Sequence, residues 1–237
     1  IFKISRDGTD FRSLYSFGAV TSATGSGLTV TVDGAAPLGP LVAGADNAFY
    51  GTTSQGGTNG RGTVFRIAFD GTGFQVLHHF SATTADTTTG LLENADGATP
   101  LGGLVDGGDG FFYGATSQGG TDGNGVVFAI PADGSTFTVL HAFAGADGAR
   151  PAAELMVASS GKLYGVTSSG GVNSEGATTA LGTIFSIDRA GTGFARLYSF
   201  DGKNGSLPAS RLLETASGVF VGIATGTGNC SYGTVFR

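Results

Sequence analysis

The chain has 237 residues, of which 40% are hydrophobic, enough for one substantial core. Charge is sparse: 13% of residues are charged, the net value is −6, and 12 Lys plus Arg without a basic run exclude a nucleic-acid or anionic-membrane surface. The 44 Gly come with only 6 Pro and no Gly-X-Y period, which excludes collagen, and no stretch approaches the ~20 apolar residues of a membrane-spanning helix.

In chain order, four short elements recur. IFKI (1–4) and FRSLYSF (11–17) predict a hairpin across Asp7-Gly8, where glycine supplies the positive φ of a tight turn. LTVTV (28–32) predicts a small extra strand. PLGPLV from Pro37 and AFYGTTSQGG (48–57) predict a second hairpin. The phrase then restarts with TVFRI (63–67), FQVLHHF (74–80), PLGGLV from Pro100 and FFYGATSQGG (111–120). It returns as VVFAI (126–130), FTVLHAF (137–143), PAAELMV from Pro151 and KLYGVTSSGG (162–171). The last round is TIFSI (183–187), FARLYSF (194–200), PASRLLE from Pro208, VFVGIATGTG (219–228) and a closing TVFR (234–237). We label the Pro-led element A, the aromatic–Gly element B, the Val-Phe element C and the Phe-to-Phe element D. Each is short, rich in Val, Ile, Phe, Tyr or Leu, and bounded by Gly or Asp, as strands are. None carries a helical period.

Phe2, Phe65, Phe128, Phe185 and Phe236 form one column, spaced by 63, 63, 57 and 51 residues. A period of about 50–60 with several strands per unit is the pattern of propeller blades. The expectation is therefore an all-β protein: a β-propeller of four antiparallel four-stranded repeats in a single domain over 1–237. The units fall at about 1–63, 64–126, 127–183 and 184–237. The A–B and C–D spans are constant, at 14 and 15 residues in every copy. The D–A spans are 20, 20, 8 and 8 residues, and the B–C spans 14, 14, 20 and 14. In an antiparallel meander the constant turns lie at one end of the sheet. The insertions, near 19–31, 82–94 and 172–180, then share the other end, where variable loops carry binding.

Strands C and D of the first unit can complete a blade with A and B of the last, but TVFR then competes with IFKI for one place. The alternatives are a segment of a larger propeller, a closed ring with an overlapping end, or an assembly edge. That edge would be formed by Ile1, Phe2, Val235 and Phe236 and would pair with a neighbouring chain.

Candidates for chemistry are few. His78 and His141 share a column with Tyr15 and Tyr198, so the position asks for a large amphipathic ring rather than a catalyst. His79 reads as an exposed outer-strand residue, and the 3 His lack zinc-ligand spacing. Asp33, Asp96, Asp147 and Asn204 each precede the Pro of element A by four residues. An Asx turn explains them; the sharper reading is a ring of oxygen ligands for Ca²⁺, which wants ~6–8 oxygens converging on one point. Gln55 and Gln118, with the Thr and Ser before them, lead into the variable end, where amides and hydroxyls can bond sugar hydroxyls. The local alternative is that Ser and Thr satisfy nearby backbone. No nucleophile elbow or carboxylate pair is present, so no catalytic residue and no cofactor beyond Ca²⁺ is expected. The single cysteine, Cys230, forms no intrachain disulfide and reads as a free, half-buried thiol, the alternative being a pair with another chain.

YGTTSQGG, GTVFRI, DGTGF and DGATPLGGLV resemble the GloVer-type tandem repeat of bacterial exported and cell-surface proteins, over essentially the whole chain. The resemblance implies an extracellular, propeller-like repeat region and brings no catalytic residues with it. The fourth copy departs from the pattern: Val221 replaces Tyr before Gly222, and TGTG replaces SQGG. The function expected is a non-enzymatic, cell-surface structural or binding module, with a glycan or surface protein on the loop-rich face. One alternative is a subunit of an extracellular filament joined through open strand edges. Another is a polysaccharide hydrolase or lyase. Neither nucleic acid nor a membrane span is expected.

Overall fold

The structure, a computed structural model, describes residues 1–18, 21–22, 29–172, 176, 181–226 and 233–237. Regular structure among them is entirely β. A hairpin of β1 (Phe2–Lys3) and β2 (Arg12–Ser13) is followed by β3 (Thr21–Ser22) and β4 (Thr29–Ala35). The next strands are β5 (Val42–Ala43), β6 (Ala48–Thr53), β7 (Gln55–Gly57), β8 (Thr63–Ala68) and β9 (Gln75–His79). They form the antiparallel sheet β5-β6-β8-β9, while β7 leaves it to pair with β4. A small pair, β10 (Thr84–Ala85) and β11 (Leu92–Glu93), precedes the second sheet. That sheet contains β12 (Val105–Asp106), β13 (Phe111–Thr116), β14 (Val126–Pro131) and β15 (Thr138–Ala142) in sequence order. In the third, β16 (Ala149–Pro151) and β17 (Met156–Val157) both pair with β18 (Leu163–Ser169), followed by β19 (Thr183–Ile187) and β20 (Ala195–Ser199). The last sheet is β21 (Leu213–Ala216), β22 (Val219–Ala224) and β23 (Thr234–Phe236).

The meander order A-B-C-D is therefore as the spacing predicts, and LTVTV contributes to β4. The closed ring of four four-stranded repeats is not what forms. The sheets contain four, four, five and three strands, and β1–β2 stands as a two-stranded sheet of its own. Of the two strands that could take the C position beside β22, TVFR holds it as β23, and IFKI pairs only with β2.

One glycine–phenylalanine register sets each sheet. Gly51 lies opposite Phe65, Gly114 opposite Phe128, Gly165 opposite Phe185 and Gly222 opposite Phe236. A Cβ on Gly114 would sit 2.5 Å from the Phe128 ring and 2.8 Å from Leu104. The tip of the Phe128 ring thus lies over Gly114, and the ring is buried completely. The last Phe of the preceding D element then meets it edge-on: Phe17 on Phe65, Phe80 on Phe128, Phe143 on Phe185 and Phe200 on Phe236, with centroids 5.2–5.7 Å apart. Each such side chain contributes about 1.5–3 kcal/mol through burial, and the edge-to-face contact fits the ring quadrupoles. The cores are consequently shared between units, as where Tyr50, Val64 and Phe80 join Leu104, Phe112 and Phe128.

The two ends of the sheets differ as the spans predict. At one end the A–B and C–D turns bond to each other, Phe69 N to Asn47 O (3.0 Å) and Ala132 N to Gly110 O (3.2 Å). At the other, the D–A insertions bond the B–C loops: Gly119 N to Leu92 O (3.1 Å), Asn94 N to Gly120 O (3.2 Å), and β4 to β7. Most of the first insertion (19–31) and most of the third (172–180) lie outside the described residues.

Gly114→Ala is expected to destabilise the fold by about 1–3 kcal/mol, the usual penalty of overpacking, read as a lower urea midpoint at unchanged slope. An unchanged midpoint would contradict the register argument.

Candidate functional site

The most regular polar arrangement is built at the join between a D strand and the loop after it. Tyr15 OH donates to Asp33 Oδ2 at 2.8 Å, and Gly18 N donates to the same oxygen at 2.7 Å. His78 Nε2 lies 2.9 Å from Asp96 Oδ2, and Ser81 N bonds both carboxylate oxygens. His141 Nε2 lies 2.8 Å from Asp147 Oδ2, with Ala144 N on Oδ1. In the fourth copy Asn204 Nδ2 donates to Tyr198 OH at 3.2 Å. The ring column and the Asp/Asn column are thus partners. Each acidic residue ties the loop back to the strand, over a longer range than an Asx turn.

Each of the first three rings is also stacked by a phenylalanine of the next unit. Tyr15 lies on Phe74, His78 on Phe137 and His141 on Phe194, at 3.6–3.8 Å and within 11° of parallel. His78 and His141 therefore have structural partners on both sides. Burial, and then Asp33, push the Tyr15 hydroxyl up to about 12. Burial raises the Asp96 carboxyl, but hydrogen bonds from His78 and Ser81 outweigh it, and its pKa is lowered. Asp147 is lowered in the same way, burial being outweighed by the bonds from His141 and Ala144. Among the described residues Asp33 Oδ1 has no hydrogen-bond partner. Among the described residues no three His, Cys, Asp or Glu side chains gather as a metal site requires.

The TSQGG segments serve backbone. Ser54, Ser117 and Ser168 hydroxyls donate to the carbonyls of Ala36, Thr99 and Arg150 at 2.8–3.0 Å. Thr53 and Thr167 pair with Thr63 and Thr183 inside the sheet, both at 2.8 Å. Gln55 is exposed at the loop-rich end, and Gln118 is half-buried with Thr99 Oγ1 at 3.5 Å from its Oε1. His79 is half-buried rather than exposed, its Nδ1 accepting from Thr58 N at 3.3 Å. Cys230 lies outside the described residues.

Sequence reasoning missed one structural column. Ala36, Thr99, Arg150 and Leu207, each just before the Pro of element A, adopt positive φ of 54–57°. Non-glycine residues avoid that region, and such strain persists only when the surroundings fix it. At three of the four the neighbouring unit holds it: Thr99 N bonds Arg61 O, Arg150 N bonds Asn124 O and Leu207 N bonds Leu181 O, all at 2.9 Å. The recurring Pro was the signal available for this joint.

Cavities among the described residues include two of about 450 Å³, one lined by Ile184, Leu197, Tyr198, Phe200, Phe220 and Phe236 and the other by Lys203, Asn204, Thr234 and Phe236, and one of about 330 Å³ that holds Asp109, Tyr113 and Arg189. In the last, Arg189 lies 3.3 Å from Asp109.

With this geometry in place, comparison with known proteins is direct. Residues 85–237 match the Gloeobacter/Verrucomicrobia repeat. The chain belongs to that repeat family. No curated protein matches it, whereas 53 chains of solved structures do. One is a "Crystal structure of Nidogen/Laminin Complex", similar at 15% identity and a TM-score of 0.49 over 76% of this chain and 54% of that one. The chain thus spans about half the length of that relative. The match of the repeat family begins in the second insertion and runs through the fourth sheet, taking in the Asp96, Asp147 and Asn204 clamps. No helix among the described residues is long and apolar enough to cross a membrane.

Asp96→Ala leaves the His78 ring and Ser81 N unpaired, and is expected to cost about 1–3 kcal/mol, whereas His78→Tyr, which repeats the Tyr15 pairing, is expected to cost less. Because the Asp96 and Asp147 pKa values are lowered on folding, their contribution is full above the unfolded carboxylate pKa. It disappears as pH falls through the lowered folded values. Urea titrations between neutral and acidic pH check both: Asp96→Ala should flatten the acid limb, and an unchanged limb would contradict the clamp.

Proposed function

We propose that this chain is a non-enzymatic extracellular module of propeller type, whose loop-rich end holds a glycan or a surface protein. The observation that carries this reading is that the second insertion, as the β10–β11 pair, and the described end of the first, in β4 against β7, both meet the B–C loops at one sheet end. The opposite end keeps constant turns. A second support is that the polar columns resembling catalytic groups are occupied in clamping rings and loops. Extracellular placement rests on the resemblance of the motifs to repeats of exported proteins. Gln55, exposed beside β4, is the side chain best placed to donate to a sugar hydroxyl.

The third unit supplies a clean way to test the loops. It connects Phe143 to Asp147 through Ala144, Gly145 and Ala146, and keeps the His–Asp clamp. Replacing residues 81–95 by that Ala-Gly-Ala bridge should preserve His78–Asp96 and the sheets. Affinity electrophoresis in gels containing soluble plant, algal and bacterial polysaccharides is the measurement. Wild type should be retarded by at least one polysaccharide, the short-loop protein should migrate freely, and neither should release reducing ends. Retardation that survives the replacement, or release of reducing ends by wild type, would overturn the reading.

A further inference from the structure

The joint between the second and third sheets differs from the one before it by the place of an arginine. In the first sheet Tyr50, Arg66 and Gln75 stand abreast on β6, β8 and β9. Arg66 Nη2 and Nε donate to Asp46 Oδ2 at 2.6 and 2.9 Å, and Nε also donates to Tyr50 OH at 3.3 Å. The guanidinium thus lies across this row. In the second sheet the residues abreast are Tyr113, Ala129 and Thr138. Here the arginine stands on the C–D turn of the third sheet instead. Arg189 falls in the column of Ala132 and reaches Asp109 from across the joint, Nη1 to Oδ2 at 3.3 Å. The same turn rests on the second sheet, since a Cβ on Gly191 would meet Leu140 at 3.3 Å. With the arginine moved from strand to turn, the cavity of about 330 Å³ stands over Ala129, between the Asp109–Arg189 pair, Phe111 and Thr138. Its flanking sheets are the four-stranded second and the five-stranded third, so chain bounds it on both sides.

The groups around this cavity define what fits. Burial raises the Asp109 carboxyl, but hydrogen bonds from Tyr113, Phe111 N and Arg189 outweigh it, and its pKa is lowered. Burial, and then Asp109, raise the Tyr113 hydroxyl. Tyr113 therefore keeps its proton and donates it to Asp109 at 2.8 Å, which leaves the phenol oxygen able to accept, as Tyr50 accepts from Arg66. Arg189 Nε is buried without a partner among the described residues, so the guanidinium has a donor to spare. Carboxylate and guanidinium cancel in charge, and an ionic ligand would meet the like-charged member of the pair at close range. Phe111, in the column of Ala48, is 38% exposed and adds an apolar surface. A matching ligand is neutral, both donates and accepts, and has an apolar face. Each hydroxyl offers one donor and two acceptor sites, and a sugar ring carries several of them around an apolar face. At the small end of ligand-pocket volumes, the cavity takes one ring rather than a run of polymer.

We propose that the cavity between the second and third sheets binds a single neutral sugar ring, with hydroxyls on Arg189, Tyr113 and Thr138 and the apolar face on Phe111. The site lies among the constant turns, opposite the loop-rich end, and does not rest on binding there.

Methyl glycosides of the neutral hexoses and of N-acetylglucosamine, titrated singly into ¹⁵N-labelled protein, are the probes. At least one should shift the amide signals of Phe111, Thr138 and Ala190 saturably and leave those of Gln55 and Gln118 in place. The double variant Ala129→Arg/Arg189→Ala gives the second joint the residues of the first at unchanged net charge, and should abolish these shifts. Phe111→Ala, which repeats Ala48, should weaken binding about tenfold through loss of apolar contact. Replacement of residues 81–95 by Ala-Gly-Ala should leave the titration as in wild type, which separates this site from the loops. The absence of saturable shifts with every glycoside would overturn the proposal. So would shifts lost on loop replacement, or binding indifferent to Phe111→Ala and to the double exchange.

Discussion

A phenylalanine ring lying across a glycine fixes the geometry on which the rest of this molecule depends. With any side chain at Gly51, Gly114, Gly165 or Gly222, the tip of the C-strand ring could not rest where it does on strand B. Lifted from that place, it would lose its edge-to-face contact with the last Phe of the preceding unit. The same contact therefore holds a sheet together and sets where the next sheet stands. This explains why the A–B and C–D spans tolerate no change of length, while the loops at the other end accept twelve extra residues without disturbing the sheets.

A second layer of the joint is polar. The ring that follows the D-strand leucine is pinned from one side by a carboxylate and covered from the other by a phenylalanine. Tyr and His are both accepted because each offers a flat face and a hydrogen-bond donor at the ring tip. Asp and Asn are both accepted opposite them, with the donor reversed in the fourth copy. The long and short loops differ between ring and acid, at 18 residues for Tyr15–Asp33 and 6 for His141–Asp147, yet both close the same clamp. The clamp is thus the point at which variable loop and constant sheet are sewn together.

Much of this was legible in the sequence. The phenylalanine column, the constant spans and the side on which insertions fall followed from counting, and β4 followed from LTVTV. The pairing of ring and acid was harder to see, because their separation in sequence changes from copy to copy with the insertion. Its signal was compositional: two columns, each restricted to two residue types. The left-handed residue before each Pro was invisible, since Ala36, Thr99, Arg150 and Leu207 share no chemistry, and the bonds that hold the last three come from the neighbouring unit. Ring closure was illegible for a different reason. IFKI and TVFR are nearly equivalent strands, and only the pairing of β23 with β22 decides between them.

The central claim is that one joint, repeated, orders the whole chain, and the stacked histidines report on it individually. Proton NMR of the imidazole rings of His78 and His141 should show upfield ring-current shifts from Phe137 and Phe194. Phe137→Leu should return only the His78 signals toward ordinary positions, and Phe194→Leu only those of His141. Imidazole signals at unshifted positions in the wild type, or signals indifferent to both substitutions, would contradict the account.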